Sequence, residues 1–295
     1  MKRAAALSFV LLLASGCGGS GDGDESASTT AAETSTTVAL SRPFEVAEST
    51  RTYTNNARTL VTTVLVPDGD GPFPLVVFAH GNGGHARKTT MLLDAWTRAG
   101  YVVAAPAFPL TNDDVHPRVI GDYVEQPADI TAVIDNVLAD SEAASGPLAG
   151  AVDADRVGVA GHSLGGGSMY GLVADTCCRD DRVDAVIALS ALRLPFRDGR
   201  AVPSDLPLLV VHGTADTSVP YDSGRAAFDA WAGPKWFLTL FGAPHSAAYE
   251  DPPTAWDAIV EEATTLFWDG ELRGDSDAAD GLAGYEPAPE LARIE

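Results

Sequence analysis

The stretch Val157-Gly158-Val159-Ala160-Gly161-His162-Ser163-Leu164-Gly165-Gly166-Gly167 decides how the rest of the chain is interpreted. Its valine-rich start predicts a buried strand that ends at Gly161, and the apolar spacing after Ser163 predicts a helix. Between them lies a Gly-x-Ser-x-Gly pattern. A strand that turns directly into a helix strains the serine, and side chains two positions away on either side would collide, so glycines are needed there. The pattern predicts a raised serine hydroxyl beside the free N–H groups of a helix start. The alternative is a glycine-rich turn without chemistry.

The N-terminal residues predict export. Met1 to Arg3 is positively charged, Ala4 to Ala14 is an apolar run too short to span a membrane, and small residues precede Cys17. This order indicates a secretory signal over residues 1–17. It resembles a bacterial lipoprotein signal, which implies a lipid on Cys17 and a protein anchored at the cell surface. Plain secretion, with Cys17 discarded or free, is the alternative. Residues 18–41 have almost no apolar mass and predict a flexible tether.

Composition narrows the classes of partner and site. The formal net charge of −22 argues against nucleic acid and anionic surfaces as partners. No apolar stretch after the signal is long enough to cross a membrane. Cys177 and Cys178 are adjacent, and a disulfide between neighbours requires a distorted peptide, so two buried thiols and an oxidised pair both remain open. The cysteines lack zinc-ligand spacing.

Strands and helices alternate along residues 42–274. The predicted strands are 44–53, 59–67, 75–79, 101–106, the strand before Ser163, 183–189, 208–211 and 236–241. Predicted helices begin near Lys88, Pro127, Leu164, Tyr221 and Pro253. This alternation predicts an α/β domain, with a mostly parallel twisted sheet of about eight strands flanked by helices on both faces. Residues 275–295 are acidic and rich in small residues, so we expect a loosely packed tail there, in which Tyr285 and Leu291 could dock. Ligands should bind at the carboxyl ends of the strands.

A base and an acid for the serine follow later in the chain. Of the six histidines, His245 alone follows both the serine and the last long strand. Asp216 follows the preceding strand, which gives the order Ser163, Asp216, His245 of a nucleophile, acid and base triad. Taken singly, Asp216 could serve as a turn or cap residue and His245 as a surface histidine. The histidines that sit between a strand and a glycine are expected to pack or to stabilise turns; they are His80, His162 and His212.

Two N–H donors should face the developing oxyanion in acyl transfer. One is expected to be the N–H of Leu164, directly after the serine. The other is expected from the loop His80-Gly81-Asn82-Gly83-Gly84, with Asn82 as the first choice and Gly83 as the second. A phosphate-binding loop is the weaker alternative, because the lysine and the Ser/Thr that a P-loop needs do not stand at the required positions after these glycines.

These motifs together resemble the α/β-hydrolase superfamily, over roughly Phe44 to Arg273. The resemblance is greatest to the lid-less esterases grouped with dienelactone hydrolases, platelet-activating-factor acetylhydrolases, chlorophyllases and bacterial polyester hydrolases. Dienelactone hydrolases proper have a cysteine where Ser163 stands, so the chain departs from them there. The resemblance implies an α/β-hydrolase fold and hydrolysis of carboxylic esters without a cofactor or a metal.

The connection from Leu189 to Leu206 is too short for a helical cap domain. The site should therefore be open, with walls formed by Asn82 to Arg87, Phe108 to Tyr123 and Leu192 to Arg197. Candidate acyl-pocket residues are Phe108, Met169 and Leu192, although the helical spacing of Met169 also fits a plain core position.

The sequence thus favours an exported, lipid-anchored, monomeric serine esterase that acts through an acyl-enzyme on small or polymeric esters. Three alternatives remain: a peptidase or amidase with the same triad, an acyltransferase, and a surface binding module on an inactive hydrolase scaffold.

Overall fold

The computed structural model describes residues 43–295, which form a nine-stranded sheet flanked by helices. The predicted signal, the whole of the predicted tether and the proposed lipidation site at Cys17 lie outside the described residues. The strands are β1 (Val46–Asn55), β2 (Arg58–Pro67), β3 (Phe73–Ala79), β4 (Val102–Ala107), β5 (Val152–His162), β6 (Val183–Leu189), β7 (Leu208–Gly213), β8 (Lys235–Leu240) and β9 (Ala292–Ile294).

The middle of the sheet is parallel, as the continuous apolar strands predict. The order is β1-β2-β4-β3-β5-β6-β7-β8-β9. The strands from β4 to β8 in this order run parallel, whereas β1, β2 and β9 pair antiparallel with their neighbours. Every residue of β3 is buried, since both faces of a central parallel strand are covered. Its last residue, Ala79, pairs with Gly161 of β5, so the loops after β3 and β5 begin side by side.

Helices cover both faces of this sheet. They are α1 (Thr90–Arg98), α2 (Gln126–Glu142), α3 (Leu164–Ala174), α4 (Tyr221–Asp229), α5 (Asp257–Arg273) and α6 (Ser276–Ala283), with short 3-10 turns at Ala86–Lys88 and Ile120–Val124. Apolar residues of α2, α3 and α4 form the core on one face, and those of α1, α5 and α6 form the core on the other. Each residue of α3 is buried. None of the helices in residues 43–295 combines the length and the apolar character needed to span a membrane.

The C-terminal residues 275–295 are packed, and the prediction of a loose tail is wrong for them. Helix α6 packs against α5 with Leu282 only 2% exposed, and β9 pairs with β8 as the ninth strand. The prediction rested on acidic, small-residue composition. A few apolar residues at matching positions, among them Ala292 and Ile294, are enough to attach the segment to the sheet. The folded domain therefore extends beyond the predicted boundary at residue 274.

Cys177 and Cys178 form a disulfide in the loop between α3 and β6. Cys177 is exposed and Cys178 is half-buried, so two buried thiols do not describe this pair. The N–H of Cys177 donates to the carboxylate of Asp175 at 3.1 Å, which holds the start of the loop.

A buried ion-pair network ties β2 to the helices beside the site. Arg58 donates to both carboxylate oxygens of Asp122, at 2.7 and 2.9 Å, and to Asp129 at 2.6 Å. The side chains of Asp122 and Asp129 are 2% and 0% exposed. Asn55 adds a hydrogen bond to Asp129 at 2.9 Å. Because Asp122 lies at the end of the loop that follows β4, this network fixes that loop to the sheet.

We expect Arg58→Met to lower the free energy of unfolding by about 3–5 kcal/mol, because two buried carboxylates lose their charged partner. Urea unfolding monitored by circular dichroism measures the change. Arg179→Met is the matched control: Arg179 pairs with Asp181 at the surface, where both side chains are more than half exposed. Loss of such a pair should cost no more than about 1 kcal/mol. Equal shifts in the two variants would contradict a role for burial.

Candidate active site

Ser163 occupies the sharp turn between β5 and α3. Its backbone has φ 54° and ψ −117°, a conformation with positive φ that side chains other than glycine seldom adopt. The neighbouring glycines make room for it. A Cβ on Gly161 would lie 2.6 Å from the Cα of Gly166, and one on Gly165 would lie 2.2 Å from the carbonyl oxygen of Ala79. The turn holds the serine side chain at the carboxyl end of the parallel strands, half-buried.

His245 and Asp216 complete a continuous hydrogen-bonded chain with Ser163. Asp216 follows β7 and His245 follows β8, so both loops reach the sheet edge where the serine stands. The Nδ1–H of His245 donates to Asp216 Oδ2 at 2.7 Å. With its proton on Nδ1, the imidazole accepts from the Ser163 hydroxyl through Nε2, at 2.8 Å. The structure therefore brings together all three residues of the predicted triad.

Asp216 is held as a carboxylate. Burial raises the pKa of this carboxyl, but the hydrogen bond from His245 and the N–H donors of Val219 and Ser218 outweigh it, so that the pKa lies below its usual value. The two N–H groups bind Oδ1 at 2.8 and 2.9 Å, whereas Oδ2 faces His245 at 2.7 Å and the Nε2 of His212 at 3.3 Å. A carboxylate in this position fixes the imidazole tautomer and stabilises the imidazolium.

The loop after β3, in which the oxyanion donor is predicted, lies beside the serine. A Cβ on Gly81 would lie 3.0 Å from the Cβ of Ser163, so the loop backbone lies directly against the serine. Within residues 43–295, the backbone N–H groups of Asn82 and Leu164 have no hydrogen-bond acceptor. Gly83, the second choice, is wrong as a donor because its N–H already donates to the carbonyl of Thr111 at 2.6 Å. Asn82 and Leu164 remain as the predicted donor pair.

A model of the chlorophyllase family matches residues 33–195, more than half of the chain. The chain belongs to the chlorophyllase family. None of the curated proteins compared with it matches. Proteins of the chlorophyllase family hydrolyse carboxylic esters, and at this general level the chain is a carboxylic ester hydrolase. The matched stretch contains the Asn82 loop and Ser163 but ends before Asp216 and His245, so the placement of the acid and the base rests on the geometry alone.

In this chlorophyllase-family protein, two buried histidines, His162 and His212, contact the loops that carry His245 and Asp216. The Nε2 of His162 lies 3.2 Å from the carbonyl oxygen of His245, and the two rings are 4.8 Å apart. His212 donates through Nε2 to the carbonyl of Val219 at 2.9 Å, which steadies the loop that carries Asp216. Burial lowers the pKa of both, to about 3 for His162. Of these three histidines, His245 is the one within hydrogen-bond distance of the Ser163 hydroxyl.

His80 holds the loop that carries Asn82. Its Nδ1–H donates to the carbonyl of Gly81 at 2.7 Å, and its Nε2 accepts from the N–H of Phe108 at 3.0 Å. Burial lowers its pKa to about 4. The packing role predicted for the histidines between a strand and a glycine is confirmed. No pattern in the sequence indicates that these three histidines also contact the loops that carry Ser163, Asp216 and His245.

Two of the three predicted pocket residues belong to the core. Phe108 and Met169 are both 0% exposed and pack among the apolar residues beneath the sheet edge, so neither lines an open pocket. Phe108 is turned inwards because its backbone binds His80 and its ring stacks at 5.0 Å from that imidazole. Leu192 is half-buried, and its carbonyl lies close to Gly167 in the first turn of α3. It remains a candidate.

Exposed apolar side chains lie on the loop after β4, within the range 108–123 predicted as a wall of the site, although the sequence did not single them out. Leu110, Val119 and Ile120 are 38%, 48% and 57% exposed, respectively. They share this loop with Arg118, whose guanidinium lies against Gly83. An aliphatic pair next to an arginine in an otherwise polar loop is the only sequence signal for them.

One cluster near this loop has the composition of a metal site. Ligand atoms of His85, Asp113 and Asp114 lie within 4.8 Å of one another. Arg87 already binds both carboxylates, at 2.6 and 2.8 Å, and Lys88 lies 3.4 Å from Asp113. Two cations thus balance the two carboxylates, and the cluster works as a surface ion-pair network.

Proposed function

We propose that the protein is a serine carboxylesterase in which Ser163 is acylated and then regenerated by water. The observation that carries this proposal is the unbroken chain of hydrogen bonds from Asp216 through His245 to Ser163, at 2.7 and 2.8 Å. The N–H groups of Leu164 and Asn82, next to the serine and without an acceptor in residues 43–295, support it further.

In the proposed reaction, His245 Nε2 takes the hydroxyl proton while Ser163 Oγ attacks the ester carbonyl carbon. The carbonyl electron pair moves onto oxygen, where the N–H groups of Leu164 and Asn82 stabilise it. When the C=O bond re-forms, the bond to the alcohol oxygen breaks and the imidazolium gives its proton to the departing alcohol. Water then attacks the acyl-enzyme with the same base, which releases the carboxylic acid and restores Ser163.

A fluorophosphonate probe and a panel of p-nitrophenyl esters test the proposal. We expect the folded protein to be labelled once, on the peptide that contains Ser163, and to hydrolyse esters much faster than the matching p-nitroanilides. Faster anilide hydrolysis would point to an amidase instead. Product analysis with an added alcohol would reveal acyl transfer. A folded protein that neither reacts with the probe nor hydrolyses any ester would contradict the proposal and favour a binding module.

We also propose that the mature protein is a monomer held at the membrane by a lipid on Cys17. The lipoprotein-like order of residues before Cys17 supports this location. In cells that export the protein, Cys17→Ser should move it from the membrane fraction to the soluble fraction, because the acyl chains provide the membrane affinity. Fractionation with an antibody measures the shift. The double variant Cys177→Ser/Cys178→Ser is the control and should stay with the membrane; an unchanged distribution of Cys17→Ser would contradict the anchor.

A further inference from the structure

One arginine beside the candidate active site has no charged partner. Among residues 43–295, the arginines form ion pairs with carboxylates, except for Arg118, Arg193, Arg197 and Arg200. Arg193 donates to the carbonyl at the end of α3, and Arg197 and Arg200 are exposed on the connection between β6 and β7. Only Arg118 lies against the loop that carries Asn82. In a chain with a net charge of −22, a guanidinium left without a carboxylate needs an explanation.

Local contacts hold the Arg118 guanidinium in place without neutralising it. Its Nε donates to the carbonyl of Asn112 at 3.2 Å, so the remaining N–H groups of the fork are left for another acceptor. The carboxylates within five residues of Arg118 are already bound by other arginines: Asp113 and Asp114 by Arg87, and Asp122 by Arg58. Arg118 is half-buried, which reduces the screening of its charge by water.

Gly83 allows the guanidinium to approach the oxyanion loop closely. A Cβ at this position would lie 3.0 Å from the Arg118 Cζ and 3.2 Å from its Nε, and the φ of Gly83 is +78°. Gly81, two residues earlier, lies against Ser163. Two residues of extended chain span at most about 7 Å, so the guanidinium and the serine contact the same short stretch of loop.

We propose that Arg118 binds an anionic group of the substrate, so that the enzyme favours esters that carry a second, negatively charged group several bonds from the scissile carbonyl. This inference rests on the proposed esterase function. A guanidinium recognises carboxylate and phosphate through paired N–H donors. The exposed Val119 and Ile120 follow Arg118 directly, and Val119 donates to the carbonyl of Leu110 at 2.9 Å. Aliphatic surface next to a cation suits a half-ester of a medium-length dicarboxylic acid.

The test compares two esters that differ in one charge: mono-4-nitrophenyl adipate, and its methyl-capped diester. The ratio of their kcat/KM values is measured for the wild-type protein, for Arg118→Gln and for Arg118→Lys. A ratio within one preparation does not depend on the fraction of folded enzyme. Arg200→Gln is the matched control, since it removes an unpaired charge from an exposed position away from the Asn82 loop. A second pair, 3-carboxy-4-nitrophenyl hexanoate and 4-nitrophenyl hexanoate, places the charge on the alcohol side.

We expect the wild type to prefer the anionic member of one of these pairs, and Arg118→Gln to lower that preference roughly 10- to 100-fold, the value of a hydrogen bond to a charged group. Arg118→Lys should keep part of the preference, and added salt should weaken it. Arg200→Gln should match the wild type. Equal preferences in the wild type and Arg118→Gln for both pairs would overturn this inference while the esterase function stands. If no ester is hydrolysed by the folded wild type, the proposed function itself fails, and this inference fails with it.

Discussion

Ser163→Ala should lower kcat/KM for p-nitrophenyl esters by roughly 10⁴-fold or more, because loss of the nucleophile leaves only the binding site and the oxyanion donors. The variant should fold normally: alanine removes one oxygen from a half-buried residue, and the glycines on either side of the turn remain. Initial rates with a purified, active-site-titrated wild type as reference measure the loss. Labelling by a fluorophosphonate should disappear with the activity.

Ser276→Ala is the control for this experiment, since Ser276 is exposed at the start of α6. It should retain the wild-type rate. If the folded Ser163→Ala protein kept more than a few per cent of the activity, another residue would have to be the nucleophile. The hydrogen-bonded chain from Asp216 to Ser163 would then be structural only.

Asp216→Asn should lower kcat by roughly 10³- to 10⁴-fold through the tautomer of His245. The N–H groups of Ser218 and Val219 hold the acceptor oxygen of residue 216, so the amide oxygen of asparagine should take that position. Its NH₂ group would then face His245 Nδ1, which must become an acceptor. The imidazole proton moves to Nε2, where the ring can no longer accept from the Ser163 hydroxyl.

The measurement is kcat and KM with a good ester substrate, accompanied by a crystal structure or a urea midpoint to show that the loop is intact. Asp222→Asn is the matched control because Asp222 is exposed in the first turn of α4. We expect it to behave like the wild type. A loss in Asp216→Asn of less than about tenfold would mean that the tautomer is fixed by other contacts, such as those of His162 with the His245 segment.

The sequence alone predicts the central parallel sheet and the three residues of the candidate triad, but not helix α6 and strand β9. Buried parallel strands have long apolar runs that cannot be mistaken for loops, and Gly161 and Gly165 are required by contacts of less than 3 Å. Because all parallel strands end at one edge, the order of polar residues after the strands also predicts which of them meet. Ser163, Asp216 and His245 were placed by that reasoning and are within hydrogen-bond distance.

The pocket and the oxyanion loop could not be predicted to the same level. Whether Phe108 faces a cleft or the core depends on its contact with His80, from a different strand end. Whether Gly83 has a free N–H depends on Thr111, in a loop without a pattern of its own. The sequence does not show that Arg118 lacks an ion-pair partner, because Asp113 and Asp114 are nearby in sequence. Only the structure shows that both bind Arg87.

The short strand β9 has a consequence for how the protein behaves in solution. Without it, β8 would be the last strand of the sheet, with the backbone groups of Phe237 that now bind Glu295 left open. An uncovered strand edge next to an apolar core is a template for pairing with other chains. We therefore expect β9 to reduce self-association by covering the edge of β8. A shortened form that stops at Gly274 should aggregate even though every residue of the triad is still present.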